Sequence, residues 1–81
     1  KYYTMSTRIA IEQIKKINQL IVKKNTGKPA EMAVKLDCSL TTLFTYLSMM
    51  RTMGAPIQYN KFKQTYYYEE EGDFVIGFIA R

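Results

Sequence analysis

Eighty-one residues with a net charge of +5, 47% hydrophobic and 14% aromatic, suffice for one small compact domain, near the lower limit for folding without staples. The lack of histidine removes the commonest general base and metal ligand. A single cysteine excludes an internal disulfide and a thiolate zinc cluster, and the longest apolar run, Phe74 to Ala80, is too short to span a bilayer.

Residues 6–24 pattern as one amphipathic helix. Ala10, Ile14, Ile17 and Ile21 share a face, Ile11 and Leu20 widen it, and Glu12, Lys15, Lys16, Gln19 and Lys23 cover the rest. Lys23 and Lys24 suit the carboxyl end of the helix dipole, and Gly27 supplies the stop. The isoleucine stripe reads as core rather than as a coiled-coil surface.

A second helix over 29–36 opens with Pro29 at its first position and Glu31 soon after. Asp37 and Cys38 turn the chain, with Cys38 read as a small filler and not as a reactive thiol. Ser39 then offers a hydroxyl cap to a third helix over 40–52, where Leu43, Leu47 and Met50 recur at helical spacing. Ala33 lets the two backbones approach, and Met32, Leu36, Leu43 and Leu47 fill the angle between them. A helix-turn-helix has this pattern, and so does any helical hairpin in a small core.

Gly54 caps the third helix and Pro56 forbids its continuation. Strands follow at 57–60 and 65–68, separated by Lys61, Phe62, Lys63 and Gln64, the length of a hairpin loop. Tyr66 and Tyr68 share one strand face opposite Tyr67. Sheet packing explains these rings better than base stacking, whereas Phe62 at the tip has little core beneath it. Glu69, Glu70, Glu71 and Asp73 form an acidic turn without the ligand spacing of a calcium loop. Residues 74–79 read as a last strand, with Phe74, Ile76 and Phe78 on one side and Val75 and Ile79 on the other. A strand apolar on both faces lies between two layers. Either a second copy covers it, which is the expectation favoured, or it folds back over Ile14, Ile17 and Ile21 in a monomer.

A helix-turn-helix followed at once by a basic-tipped hairpin has the element order of a winged helix, in an α+β domain spanning 1–81. Thr26-Gly27, Glu31 to Leu36, Ser39 to Leu43, Tyr46-Leu47 and the exit Gly54-Ala55-Pro56-Ile57 resemble a bacterial winged helix-turn-helix transcription regulator, closest to the deoxyribose-operon-repressor-like domains. The resemblance covers roughly residues 8–68. It implies sequence-specific binding of double-stranded DNA with the third helix in the major groove, and a short strand at Thr26-Gly27-Lys28 paired with the wing. The chain departs from the family at Thr41 and Thr45, where Arg or another long polar residue is common.

Charge fits a polyanionic partner. Eleven of the twelve Lys and Arg lie in residues 1–68, against only Glu12, Glu31 and Asp37. Expected DNA contacts are Ser39, Thr41, Thr42, Thr45 and Ser48 on the third helix, whose hydroxyls and methyls suit phosphates and base edges. Lys35, Lys61 and Lys63 are expected on phosphates. The competing expectation is a protein-binding module using Leu40 and Phe44, one turn apart on the same helix. No glycine-rich phosphate loop is present, and no cofactor, metal or catalytic activity is expected. Without a signal-peptide pattern, the expected location is the cytoplasm.

Overall fold

Among the described residues three helices precede a two-stranded antiparallel sheet: α1 (Thr7–Val22), α2 (Pro29–Lys35), α3 (Leu40–Thr52), β1 (Ile57–Asn60) and β2 (Thr65–Tyr68). The computed structural model describes residues 7–76 and 78. The α+β class and the order of elements follow the sequence expectation. None of the described helices is long and apolar enough to cross a membrane.

All three helices end in the same way. At each end the chain turns left-handed at one residue, whose N–H and that of its successor return to the last carbonyls, which is the Schellman closure. In α1 the turning residue is Lys24 (φ 56), with Lys24 N–H donating to the Ile21 carbonyl and Asn25 N–H to that of Leu20. In α2 it is Asp37 (φ 54), with Asp37 N–H on Val34 and Cys38 N–H on Ala33. In α3 it is Gly54 (φ 104), with Gly54 N–H on Arg51 and Ala55 N–H on Met50. Gly27 is therefore not the stop of α1. That helix ends at Val22, two residues short of the boundary at 24 read from periodicity, and Lys24 is its left-handed closing residue. Gly27 (φ 77) instead makes room for α2: a Cβ there would lie 2.7 Å from Glu31 Oε1. The Glu31 carboxylate accepts the Lys28 N–H at 2.8 Å and so caps the first turn of α2.

The core gathers Ile14, Ile17 and Ile21 of α1, Met32, Ala33 and Leu36 from α2 and its exit, and Leu43, Tyr46, Leu47 and Met50 of α3, closed by Ala55, Ile57 and Tyr66. These are the apolar stripes that periodicity picked out, and burying them against one another drives the three helices and the sheet together. Gln13 Nε2 ties α1 to the end of α2 through the Leu36 carbonyl at 2.7 Å.

The wing pairs Ile57 with Tyr68, Gln58 with Tyr67, Tyr59 with Tyr66 and Asn60 with Thr65. Tyr59 and Tyr66 meet edge to face with centroids 4.9 Å apart. The Thr26-Gly27-Lys28 link makes no strand against this hairpin. Its contact is through side chains: Tyr66 N–H donates to Thr26 Oγ1 at 2.8 Å, and Thr26 N–H donates to Thr65 Oγ1 at 3.2 Å. Two hydroxyls thus replace a ladder and satisfy the outer edge of β2.

The expected strand at 74–79 is not formed over its described residues, and positions 77 and 79 lie outside them. Asn18 supplies the reason. Its Oδ1 accepts both Tyr68 OH (2.7 Å) and Phe74 N–H (3.1 Å), while its Nδ2 donates to Asp73 Oδ1 at 3.0 Å. The segment is pinned to a helix side chain instead of a sheet edge. Phe74 and Ile76 nevertheless pack toward the core with Val75 outward, as the alternation predicts, but Phe78, expected on their side, is exposed because the chain is no longer a strand there.

Candidate nucleic-acid interface

The surface of interest is built outward from the core of α3. Leu43, Tyr46, Leu47 and Met50 face inward, so helical geometry turns Leu40, Thr41, Phe44, Thr45, Ser48, Met49 and Thr52 to the outside. Thr41, Phe44, Thr45, Ser48, Met49, Thr52 and Met53 line a shallow groove of about 660 Å³ along that side. No residue from 38 to 50 is ionisable except Cys38 and the buried Tyr46. Arg51, at the far end, gives its Nε–H to the Ile57 carbonyl at 3.2 Å and so serves the junction with the wing.

Of the eight residues expected at the site, Thr41, Thr45 and Ser48 come together on this face. Ser39 and Thr42 are at its amino end but are occupied with each other. Ser39 Oγ accepts the Thr42 N–H at 3.0 Å as the helix cap and lies 2.9 Å from Thr42 Oγ1. Thr45 Oγ1 donates back to the Thr41 carbonyl at 3.0 Å. Lys35 points elsewhere: its ammonium donates to the Asn25 carbonyl at 2.7 Å, bracing the link between α1 and α2. Lys61 and Lys63 stand exposed on the wing tip, and neither ammonium has a protein partner among the described residues.

That tip is held rigidly. Asn60 Oδ1 accepts the N–H groups of both Phe62 and Lys63 at 2.9 Å, and Gln64 adopts φ 53 to bring the chain into β2. The Phe62 ring is left 98% exposed between the two lysines. Around the rest of the molecule Lys15, Lys16, Lys23, Lys24 and Lys28 are also exposed, and the one ion pair among the described residues, Arg8–Glu12 at 3.7 Å, lies on the open surface of α1. Such a surface pair neutralises little of the surrounding field. The acidic turn, Glu69 to Asp73, sits beyond the wing, where Asp73 is tied to Asn18.

Sequence reasoning placed Leu40 and Phe44 on this face but missed Met49, Thr52 and Met53. The signal was present, since 41, 45, 48, 49 and 52 recur at helical spacing, but the methionines also suit a core. Two groups with raised pKa lie outside the groove. Partial burial, and then Asp37, push the Cys38 thiol up, which makes it a poor nucleophile. Burial, and then Asp73, push the Tyr68 phenol up to about 12. Set against protein-family models, curated proteins and solved structures, the chain matches none.

Proposed function

We propose that the chain is a winged helix-turn-helix that binds double-stranded DNA as a small, non-enzymatic transcription regulator, with α3 in the major groove and the wing on the phosphate backbone. The observation that carries the reading is an α3 whose outer face no described element covers, next to a hairpin tip held by Asn60 and bearing two lysines without a protein partner among the described residues. The surplus of exposed lysine supplies the sequence-independent attraction. On α3, Thr41, Thr45 and Ser48 present methyls and hydroxyls where long polar side chains are absent, so discrimination between sequences is expected near the low end of about 10³.

The test is fluorescence anisotropy with a random duplex between 50 and 200 mM salt. Affinity should fall steeply with salt, and replacing Lys61 and Lys63 together by Ala should weaken all sequences alike and lower the salt slope by up to about two. Binding that ignores salt, or none at the lower concentration, refutes the reading. A second reading has its own observation. Leu40, Phe44, Met49 and Met53 are all exposed on or beside an uncharged α3 face, which suits a protein partner. A null result with DNA would favour it. A two-fold pair of chains also fits the DNA reading, through the outward Val75 and Phe78, because Phe74 and Ile76 are turned to the core.

A further inference from the structure

We propose that Phe62 is a wedge that enters the DNA minor groove and unstacks one base step, so that the protein selects deformable pyrimidine–purine steps without reading base edges. The inference rests on the DNA-binding reading and says where its sequence preference comes from.

Three observations converge on the tip. Phe62 is the most exposed large apolar side chain among the described residues, at 98%, and it has no core to serve. Its backbone is not loose: Asn60 Oδ1 holds the N–H groups of Phe62 and Lys63, so the ring is presented at low entropic cost. Its immediate neighbours are Lys61 and Lys63, both free to reach phosphates. The minor groove is about 6 Å wide, with a phosphate wall on each side. Two ammoniums on opposite walls leave the ring between them aimed at the base stack. Apolar wedges with flanking cations are a general device for kinking DNA toward the major groove by about 20–90°.

The face of α3 makes such a device necessary for discrimination. Between residues 38 and 50 it offers no Arg, Lys, Asn or Gln, and the hydroxyls of Ser39, Thr42 and Thr45 are already hydrogen-bonded within the helix. Little bidentate reading is available there. Unstacking costs least at TA and CA/TG steps, so a wedge converts local flexibility into preference.

The experiment uses the full chain and a duplex carrying 2-aminopurine at a central TpA step, with a matched duplex in which the probe sits at an ApA step of a stiff A-tract, where emission should rise much less. Wild-type protein should raise 2-aminopurine emission several-fold at the TpA step and shorten the end-to-end distance seen by energy transfer. Phe62→Ala should abolish both signals while changing affinity by less than about tenfold, since stacking gained and unstacking paid vanish together. Phe62→Leu, still an apolar wedge, should keep part of both signals. Binding by wild type without unstacking, or equal unstacking by Phe62→Ala, overturns the wedge and leaves the DNA reading standing. Absence of duplex binding at 50 mM salt overturns both.

Discussion

Replacing Thr26 by Val tests how the wing is attached to the helices. The two side chains have nearly the same shape, so the change removes one oxygen and leaves packing alone. Thr26 is 0% exposed, Thr65 4% and Tyr66 5%, so water does not replace what is lost. In the native chain Thr26 Oγ1 accepts the Tyr66 N–H at 2.8 Å, lies 3.2 Å from Thr65 Oγ1 and reaches the Gly27 carbonyl at 2.9 Å. With Val the Tyr66 N–H is buried without an acceptor, which costs about 1–3 kcal/mol. A domain of this size has about 4–12 kcal/mol in all. At roughly 4–8 °C per kcal/mol, the midpoint of thermal unfolding should drop on the order of 10 °C. Thr26→Ser keeps the oxygen and gives up one methyl, about 1 kcal/mol. Calorimetry on both variants, with amide exchange at Tyr66, checks the reasoning. A Ser variant less stable than the Val variant, or unchanged Tyr66 protection in Thr26→Val, refutes it and shows that methyl packing outweighs the hydrogen bonds.

Further expectations concern the helix ends, alkaline pH and self-association. Lys24→Gly should stabilise the fold by about 0.5–1 kcal/mol in urea titration, because Lys24 bears left-handed strain that glycine does not; no gain would mean that its longer side chain supports α1. The Tyr68 phenol ordinarily ionises near 10 and is held to about 12 in the fold, so its contribution is complete below pH 10 and is lost as pH rises through 12. Burial raises the Tyr66 phenol as well, so ultraviolet titration should find a late-ionising fraction among the seven tyrosines, and Tyr68→Phe should remove part of it. Sedimentation equilibrium at micromolar concentration should detect a dimer that Val75→Glu dissociates, while Ile76→Glu destabilises the fold itself; a strict monomer removes the pairing.

Where local chemistry determined a feature, the residues announced it. Ser39 capping α3, Gly54 ending it and the four-residue gap between the strands could each be read from a few neighbouring positions. The end of α1 could not, because a lysine in a left-handed turn carries no compositional mark, and the stop was read at Gly27, three residues beyond the Lys24 that makes it. The attachment of the wing was equally hidden: Thr26 and Thr65 are 39 residues apart, and nothing in either neighbourhood points to the other. The tail shows the same limit from the opposite direction. Alternation at 74–76 correctly told which side chains face inward, yet Asn18, a single amide on a distant helix, decided that the backbone would not become a strand. For the site, the partner that Lys35 takes within the fold was not legible because it is a backbone carbonyl, a group that every residue carries.

The division of labour on α3 bears on how such a protein changes over time. The helix is held in place by Leu43, Tyr46, Leu47 and Met50, by the Ser39 cap, by the Gly54 closure and by the Arg51–Ile57 hydrogen bond, and none of these uses the side chains of Thr41, Phe44 or Ser48. Exchanging those outward residues for other helix-compatible ones costs at most a few tenths of a kcal/mol apiece in helix propensity. The outer positions can therefore drift, or be engineered, almost independently of folding: they behave as a replaceable face on a fixed mount.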